Sequence, residues 1–189
     1  MSAETNSSRR EHLRQLLTQM QPFDDTEANY HQRMLALLET DGDPFSRNHF
    51  APGHFTASSF VLHPEEKSML LIFHGKLHRW LQPGGHIDPN DPNVIDAARR
   101  EVEEETGMTD ITLHHEGIFD IDIHEIPPLR QDPAHEHFDV RFLFRAKTTE
   151  FQAGSDAKDA RWYNLIDINA TESDQSVMRA VSKLLQSLA

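Results

Sequence analysis

The sequence predicts a protein of packed helices and strands, an α+β or α/β sandwich. Apolar residues recur at helical spacing as far as Leu38, and from Phe55 the pattern changes to the short runs and alternation typical of strands. One further helix, rich in acidic residues, interrupts the strands. A chain of 189 residues is long enough for one domain and a short extension. We therefore expect a helical extension over residues 1–48 and one folded domain over residues 49–189.

The extension contains two predicted amphipathic helices. The first, over residues 8–20, shares one apolar face among Leu13, Leu16, Leu17 and Met20. The second begins after Pro22 with Asp24 or Asp25 as its N-cap, and its apolar face contains Tyr30, Met34, Leu37 and Leu38. These helices either cover one end of the sandwich or form the contact of a homodimer, and the sequence leaves both roles open.

The domain contains seven predicted strands and two predicted helices. The strands are residues 55–62, 69–74, 77–81, 111–115, 119–124, 137–145 and 161–164. The helices are residues 92–106 and 172–188.

The composition excludes several classes of function. The formal net charge is −13, from 31 acidic and 18 basic residues, so we do not expect nucleic acid as a partner. The absence of cysteine excludes disulfides, thiolate zinc sites and thiol nucleophiles. Residues 1–11 lack the apolar segment of a secretory signal, and the longest apolar run, residues 69–73, is too short to span a bilayer. A cytoplasmic protein with no membrane partner is the default expectation.

The most informative segment is the predicted helix at residues 92–106. Asp91 is its predicted N-cap, Pro92 its first residue and Gly107 the residue just beyond its C-terminus. At about 100° per residue, an apolar arc that should face the core contains Val94, Ile95, Ala98 and Val102.

Three acidic residues share that side of the helix. Glu101 and Glu105 lie inside the apolar arc and Glu104 lies at its edge, so we predict that all three point into the protein. Crowded carboxylates in a partly desolvated place are unfavourable unless a cation joins them, and all-oxygen ligation suits Mg²⁺ or Mn²⁺. Arg100, four residues before Glu104, is placed to pair with it. The alternative is that the acidic run is a solvated helix face.

The segment resembles the Nudix box, G-x5-E-x7-R-E-U-x-E-E-x-G-U, in which U is an aliphatic residue. The second half matches residue by residue over Arg100-Glu101-Val102-Glu103-Glu104-Glu105-Thr106-Gly107-Met108. The first half departs from the motif, because Gly85 is followed after five residues by Asp91 instead of Glu, and the gap from Asp91 to Arg100 is one residue too long. The surroundings also look like the family at residues 80–86 and 161–163, so the resemblance extends over about residues 55–188.

The resemblance implies an α/β/α sandwich with a mixed sheet and a pyrophosphohydrolase activity. The substrate is then a nucleoside diphosphate derivative or a similar small diphosphate, cleaved by attack of metal-activated water on phosphorus. By the same resemblance, Glu101, Glu104 and Glu105 bind Mg²⁺ or Mn²⁺, Glu101 also helps to deprotonate water, and Arg100 joins the catalytic group. Gly85 offers its backbone carbonyl to a metal.

The glycine loop and its neighbours supply the candidate substrate-binding residues, which are Gly84, Gly85, His86, Asp91 and Trp80. Trp80 either stacks on a base or is a core anchor, as a Trp on a strand more often is. His86 is near the predicted chemistry, but a catalytic role for it is only one of two alternatives.

Polar and apolar residues alternate on two predicted strands. Asp120, Asp122 and His124 share one face, and the later strand has a face made of His135, His137, Asp139 and Arg141. These faces either bind substrate or a further metal ion, or form a wet sheet face with cross-strand ion pairs. The long connection at residues 125–136 is a candidate substrate-determining loop, with an exposed linker as the alternative.

Other functions compete with a pyrophosphohydrolase. A ligand-binding or regulatory protein that has lost catalysis would have a damaged metal helix, whereas here the second half of the motif keeps all its acids. Isopentenyl diphosphate isomerase resembles this fold and box. That enzyme relies on a catalytic cysteine, and this chain has none. An RNA-cap or RNA-end hydrolase is a further alternative, but the acidic balance and the absence of a Lys/Arg cluster count against extended RNA binding. No second motif singles out coenzyme A, NADH or ADP-ribose, so the substrate stays open.

Overall fold

The computed structural model describes residues 3–75, 77–152, 157–169 and 172–187, and within these ranges it contains four helices and eight strands. The helices are α1 (Ala3–Gln19), α2 (Asp25–Leu38), α3 (Val94–Thr106) and α4 (Gln175–Ser187). The strands are β1 (Gly53–Leu62), β2 (Ser68–His74), β3 (Arg79–Leu81), β4 (Gly84–His86), β5 (Ile111–Leu113), β6 (Asp120–Ile126), β7 (His135–Ala146) and β8 (Ala157–Asn164).

The described strands form one mixed sheet. Neighbours follow the order β3-β2-β1-β7-β5, while β4 pairs with β1, β6 with β7 and β8 with β2. The pairs β1–β2, β2–β3, β2–β8, β5–β7 and β6–β7 are antiparallel. β1 and β7 run parallel, because Gly53 lies directly against the backbone of Glu136 and the Thr56 hydroxyl donates to Asp139 at 3.0 Å. A Cβ at Gly53 would lie only 1.8 Å from the Glu136 carbonyl oxygen, so this pairing requires glycine.

The chain divides into two compact units, whose limits fall inside β1, β4, α3 and β7. The first unit comprises Met1–Ala57, Gly85–Ala98 and Gly117–Phe142. The second unit comprises Ser58–Gly84, Arg99–Glu116 and Leu143–Ala189. Both predicted N-terminal helices therefore belong to the same compact unit as β6, and the domain limit at residue 48 stays a prediction.

Each unit has its own apolar core, made where helices cover strands. In the first unit α2 packs against β6, and fully buried side chains include Leu13, Leu17, Met34, Phe55, Ile121 and Phe138. In the second unit the fully buried side chains include Leu70, Leu71, Val102, Phe144, Val177 and Leu184. Burial of one such side chain stabilises the folded state by about 1.5–3 kcal/mol, so these sets position the helices.

The predicted helices and strands are confirmed, with differences at their ends. The side chain of Asp24 accepts the Glu27 N–H at 2.8 Å, so Asp24 and not Asp25 caps α2. α4 begins at Gln175, later than predicted, because the Asp174 side chain accepts the Val177 N–H at 2.8 Å. The sequence does not predict β4, because its three residues have no apolar alternation.

Arg9 anchors α1 to the loop that precedes α3, within the first unit. Its side chain is 2% exposed. One guanidinium nitrogen donates to the carbonyl oxygens of Asp88 at 2.8 Å and Pro89 at 2.9 Å, and also to that of Asp91. The Asp88 carbonyl also accepts the Asp91 N–H at 3.0 Å. A buried carbonyl oxygen without a donor is costly, so Arg9 stabilises the loop chiefly through the carbonyls of Pro89 and Asp91.

We expect Arg9→Ala to lower the free energy of unfolding by about 3 kcal/mol, since it removes charge-assisted hydrogen bonds from buried carbonyls. Denaturant unfolding followed by circular dichroism measures this. Arg14→Ala is the matched control, because Arg14 lies on the same helix and pairs with Glu39 at the surface. That variant should lose less than about 1 kcal/mol. Equal losses in the two variants would contradict the anchoring role.

Candidate functional site

α3 begins at Val94, two residues later than predicted, and its N-cap is Asn93. The Asn93 side-chain oxygen accepts the backbone N–H groups of Ile95 at 2.9 Å and Asp96 at 3.0 Å. The predicted N-cap, Asp91, is wrong. Asp91 is buried and its carboxylate instead accepts the Asp88 N–H at 2.7 Å, which closes the turn before the helix.

The C-terminal end of α3 is as predicted. Gly107 has φ +67° and its N–H donates to the Glu103 carbonyl at 2.8 Å, a left-handed C-terminal turn that favours glycine. The Thr106 hydroxyl donates to the Val102 carbonyl at 2.6 Å. These two hydrogen bonds define where α3 ends, just after the turns that carry the acidic residues.

The predicted inward direction of the acids is confirmed for Glu101 and Glu105 and wrong for Glu104. The Glu101 side chain is only 13% exposed, and Glu105 is half-buried. The Glu104 side chain is 56% exposed, because its position at the edge of the apolar arc turns it toward solvent. Glu103 is exposed on the opposite side, as the helical wheel predicts.

Three polar contacts, all within the second unit, hold these carboxylates. One nitrogen of Arg100 contacts Glu101 at 2.8 Å and Glu104 at 3.0 Å, which confirms the predicted pair with Glu104. The backbone N–H of Gly84 donates to the Glu105 carboxylate at 2.9 Å. Arg100 brings one positive charge to three negative ones, and carboxylate oxygens are the donors that hard divalent cations prefer. The donor set therefore fits Mg²⁺ or Mn²⁺.

Trp80 is buried in the second unit. The residue is 9% exposed, and its ring lies 5.3 Å from the Phe73 ring and 5.2 Å from the Tyr163 ring, centroid to centroid. The Arg161 guanidinium lies 4.9 Å from its centroid, a cation–π contact. These contacts favour the core-anchor alternative over stacking on a base.

The polar strand face in the first unit contains a buried charge cluster, whereas one of the two sequence-based alternatives is a wet sheet face. Arg141, 2% exposed, contacts Asp139 at 2.8 Å, Asp120 at 3.1 Å and Asp122 at 3.4 Å, and all three aspartates are buried. Burial lowers the pKa of Arg141, but the three carboxylates more than offset this and hold the pKa above its usual value. The guanidinium therefore stays charged, and the predicted cross-strand ion pairs are confirmed.

Five histidines gather at the other end of this face, also within the first unit. The His54 ring lies 5.2 Å from His86, 5.0 Å from His135 and 4.8 Å from His137. His137 lies opposite His124 in the β6–β7 register, with ring centroids 5.4 Å apart. Burial and the neighbouring imidazoles lower the pKa of His137 to about 2. Burial likewise lowers the pKa of His54 to about 4.

Sequence reasoning missed His54. It lies on β1, where His54 and Thr56 alternate with Phe55 and Ala57, but nothing in the sequence shows that β1 pairs with β7. His86 on β4 is half-buried, and burial is the main cause that lowers its pKa, followed by the charge of Arg47.

The predicted long connection is partly strand. β6 continues to Ile126 and β7 begins at His135, so the loop itself is shorter than the sequence predicts. Beside this loop, within the first unit, lies a cavity of about 570 Å³. It is lined by Pro52, Pro127, Pro128 and Ala134, by Glu125 and Ile126 at the end of β6, and by His135 and Glu136 at the start of β7. The cavity volume suits a small molecule. That the loop determines the choice of substrate stays a prediction.

Comparison with known proteins places this architecture in a family. The NUDIX domain model matches residues 53–185. A NUDIX-family hydrolase from Clostridium perfringens is 25% identical with a TM-score of 0.53, and the match covers 75% of this chain and 99% of that one. A C. elegans Ap4A hydrolase is 20% identical with a TM-score of 0.53, covering 71% and 96%. An ADP-ribose pyrophosphatase from Streptococcus suis is 20% identical with a TM-score of 0.52, covering 71% and 90%. No curated protein matches significantly.

The family model spans more than half of the chain, so this protein belongs to the Nudix family of pyrophosphohydrolases. The predicted resemblance is confirmed, and so is an α/β fold with a mixed sheet preceded by two N-terminal helices. No described helix is both long and apolar enough to cross a membrane.

Proposed function

We propose that this chain hydrolyses a phosphoanhydride bond in a nucleoside diphosphate derivative or a similar small diphosphate, using Mg²⁺ or Mn²⁺ held by α3. One observation supports the proposal most. Glu101, Glu104 and Glu105 project from the last turns of one helix, with Arg100 bound to two of them and the Gly84 N–H bound to the third. An i, i+4 pair also occurs on a solvated helix face, but the contact from Gly84, 21 residues away from Glu105 in sequence, and the 13% exposure of Glu101 do not fit one.

The metal role rests on helical spacing and on donor chemistry. Residues three and four apart lie on one side of a helix, so Glu104 and Glu105 both neighbour Glu101 along α3. The Glu104 side chain, 56% exposed, would have to turn toward the other two to share a cation with them. When bound there, divalent cations supply the positive charge that a diphosphate needs as its bridging bond is cleaved.

The residues of the chain then have separate roles. Glu101, whose side chain is 13% exposed, is proposed to accept the proton of the attacking water. Arg100 orients Glu101 and Glu104 through its two ion pairs, and the Gly84 N–H orients Glu105. An oriented carboxylate loses less entropy when it binds, which is the advantage of these contacts.

The glycine loop is proposed to contact metal and substrate. Gly85 would offer its backbone carbonyl to a cation, and His86, the next residue, would donate to a phosphate oxygen. Structural roles are proposed for Asp91 and Trp80 instead of substrate binding, because Asp91 closes a turn and Trp80 is packed among other rings.

The substrate is to be found with a panel of nucleoside di- and triphosphates, dinucleotides, nucleotide sugars and isoprenoid diphosphates. Ap4A and ADP-ribose belong in the panel because two proteins of the same fold are named for them. Products are separated by chromatography with Mg²⁺, with Mn²⁺ and with a chelator. We expect cleavage of at least one diphosphate with metal and none with the chelator. Adenosine monophosphate, which has no anhydride bond, is the control.

If no compound of the panel is cleaved while Mn²⁺ still binds, the proposed hydrolysis is contradicted. That result would favour a catalytically silent ligand-binding protein. Cleavage that continues in the chelator would contradict the role of the metal.

A further inference from the structure

We propose that His54, His135 and His137 form a second metal site, distinct in chemistry from the carboxylates of α3, that takes a borderline transition-metal ion such as Zn²⁺. All three histidines lie in the first unit. One ring nitrogen of each lies within 4.8 Å of the corresponding nitrogens of the other two. Among the described residues, no other group of three metal-ligating side chains meets this distance.

The strand pairing explains why the three rings meet. His135 and His137 are two residues apart on β7, so both side chains point to the same face of the sheet. β1 runs parallel to β7 with Gly53 against Glu136, so His54 lies beside His137 on that face. All three ligands therefore lie on paired strands and not on a loop.

Hydrogen bonds fix the tautomers that a metal needs. Nδ1 of His135 lies 2.8 Å from the Pro133 carbonyl oxygen, and Nδ1 of His54 lies 3.2 Å from the His49 carbonyl oxygen. A carbonyl oxygen only accepts, so each Nδ1 carries the hydrogen and each neutral ring keeps a lone pair on Nε2. A backbone carbonyl on the far nitrogen is the usual partner of a metal-binding histidine.

The Nε2 atom of His54 is a second, independent indication of a ligand. His54 is 1% exposed, and among the described residues its Nε2 has no hydrogen-bond partner. A buried ring nitrogen without a partner costs free energy, and coordination of a cation removes that cost.

The chemistry of the donors selects the metal. Three neutral imidazoles suit Zn²⁺, Co²⁺ or Ni²⁺ and not Mg²⁺, which prefers oxygen. Bonds of about 2.0–2.1 Å in a tetrahedral arrangement place the three nitrogens about 3.4 Å apart. Side-chain rotations that move each nitrogen by about 1 Å would therefore complete the site. A water molecule or a ligand atom would take the fourth position, as in three-histidine zinc sites. The rings of His86 and His124 lie near the three histidines, with centroids 5.1 and 5.4 Å from that of His137.

The test measures Zn²⁺ affinity on the full-length protein after metal removal, by competition with a chromophoric chelator. We expect one tight Zn²⁺ per chain from this site, and His135→Gln and His137→Gln should each weaken it by at least about 100-fold. His115→Gln is the matched control, because His115 is exposed and lies in the second unit. Its affinity should equal that of the wild type.

Two outcomes would overturn the site: no tight Zn²⁺ in the wild-type protein, or histidine variants that bind as the wild type does. If His137→Gln fails to fold, the Zn²⁺ affinity of His135→Gln tests the site instead. The visible absorption of the Co²⁺-loaded wild-type protein is a second measurement, because four-coordinate Co²⁺ absorbs strongly and six-coordinate Co²⁺ absorbs weakly. An affinity that falls only in Glu104→Gln would also overturn the site. The measurement does not depend on turnover, so its failure leaves the proposed hydrolysis untouched.

Discussion

Glu105→Gln is expected to lower kcat/KM on the panel substrate by about 100- to 10000-fold, with the same expected for Glu101→Gln. Glutamine keeps the size of the side chain, and its carbonyl oxygen can still accept the Gly84 N–H that lies 2.9 Å from Glu105. What the substitution removes is the negative charge that a divalent cation requires. Activity should therefore fall while the melting temperature changes little.

Glu103→Gln is the matched control for this series. Glu103 lies on the same helix and carries the same charge, but it is exposed on the opposite side. We expect its turnover to stay within about twofold of the wild type, since only long-range charge changes. Equal losses in Glu103→Gln and Glu105→Gln would show that the helix acts through its total charge and not through a metal site.

Arg141→Met is expected to have the largest effect on stability, a loss of about 3–5 kcal/mol in the free energy of unfolding. Asp120, Asp122 and Asp139 are buried around this guanidinium, which has 3% of its side-chain surface exposed. Without it, three carboxylates share a desolvated place with no opposite charge. Urea unfolding at neutral pH measures the loss.

Arg145→Met controls for the removal of an arginine from the same strand. Arg145 lies four residues further along β7, and its side chain, 45% exposed, pairs with Glu66 at 2.9 Å. A surface pair of this kind contributes less than about 1 kcal/mol. A loss in Arg141→Met no greater than that in Arg145→Met would show that the aspartates tolerate burial without their counter-charge.

The sequence predicted the features that depend on local spacing. Gly107 marks the end of α3, and the pair of Arg100 with Glu104 follows from their i, i+4 separation. Alternation predicted the strands, because burial on one face of a sheet has a period of two residues. Glu104 shows the limit of such reasoning, because a position at the edge of an arc can turn to either side.

Features that depend on tertiary contacts could not be predicted from the sequence. Asp91 and Asn93 are both suitable N-cap residues. Asp91 does not cap the helix because its carboxylate accepts the Asp88 N–H and its carbonyl accepts from Arg9, which lies far away in sequence. The cluster around Arg141 looked like a wet face because its residues are charged, but charge does not show what covers a strand. His54 joins His137 only because β1 pairs in parallel with a strand about 80 residues away, which no local pattern shows.

The central claim is that the carboxylates of α3 bind the catalytic cations. Diffraction at the manganese absorption edge, from crystals of the wild-type protein grown with Mn²⁺ and a non-hydrolysable diphosphate, tests it directly. We expect anomalous peaks within bonding distance of carboxylate oxygens of Glu101, Glu104 and Glu105. A structure with the diphosphate bound and no manganese at these three side chains would contradict it.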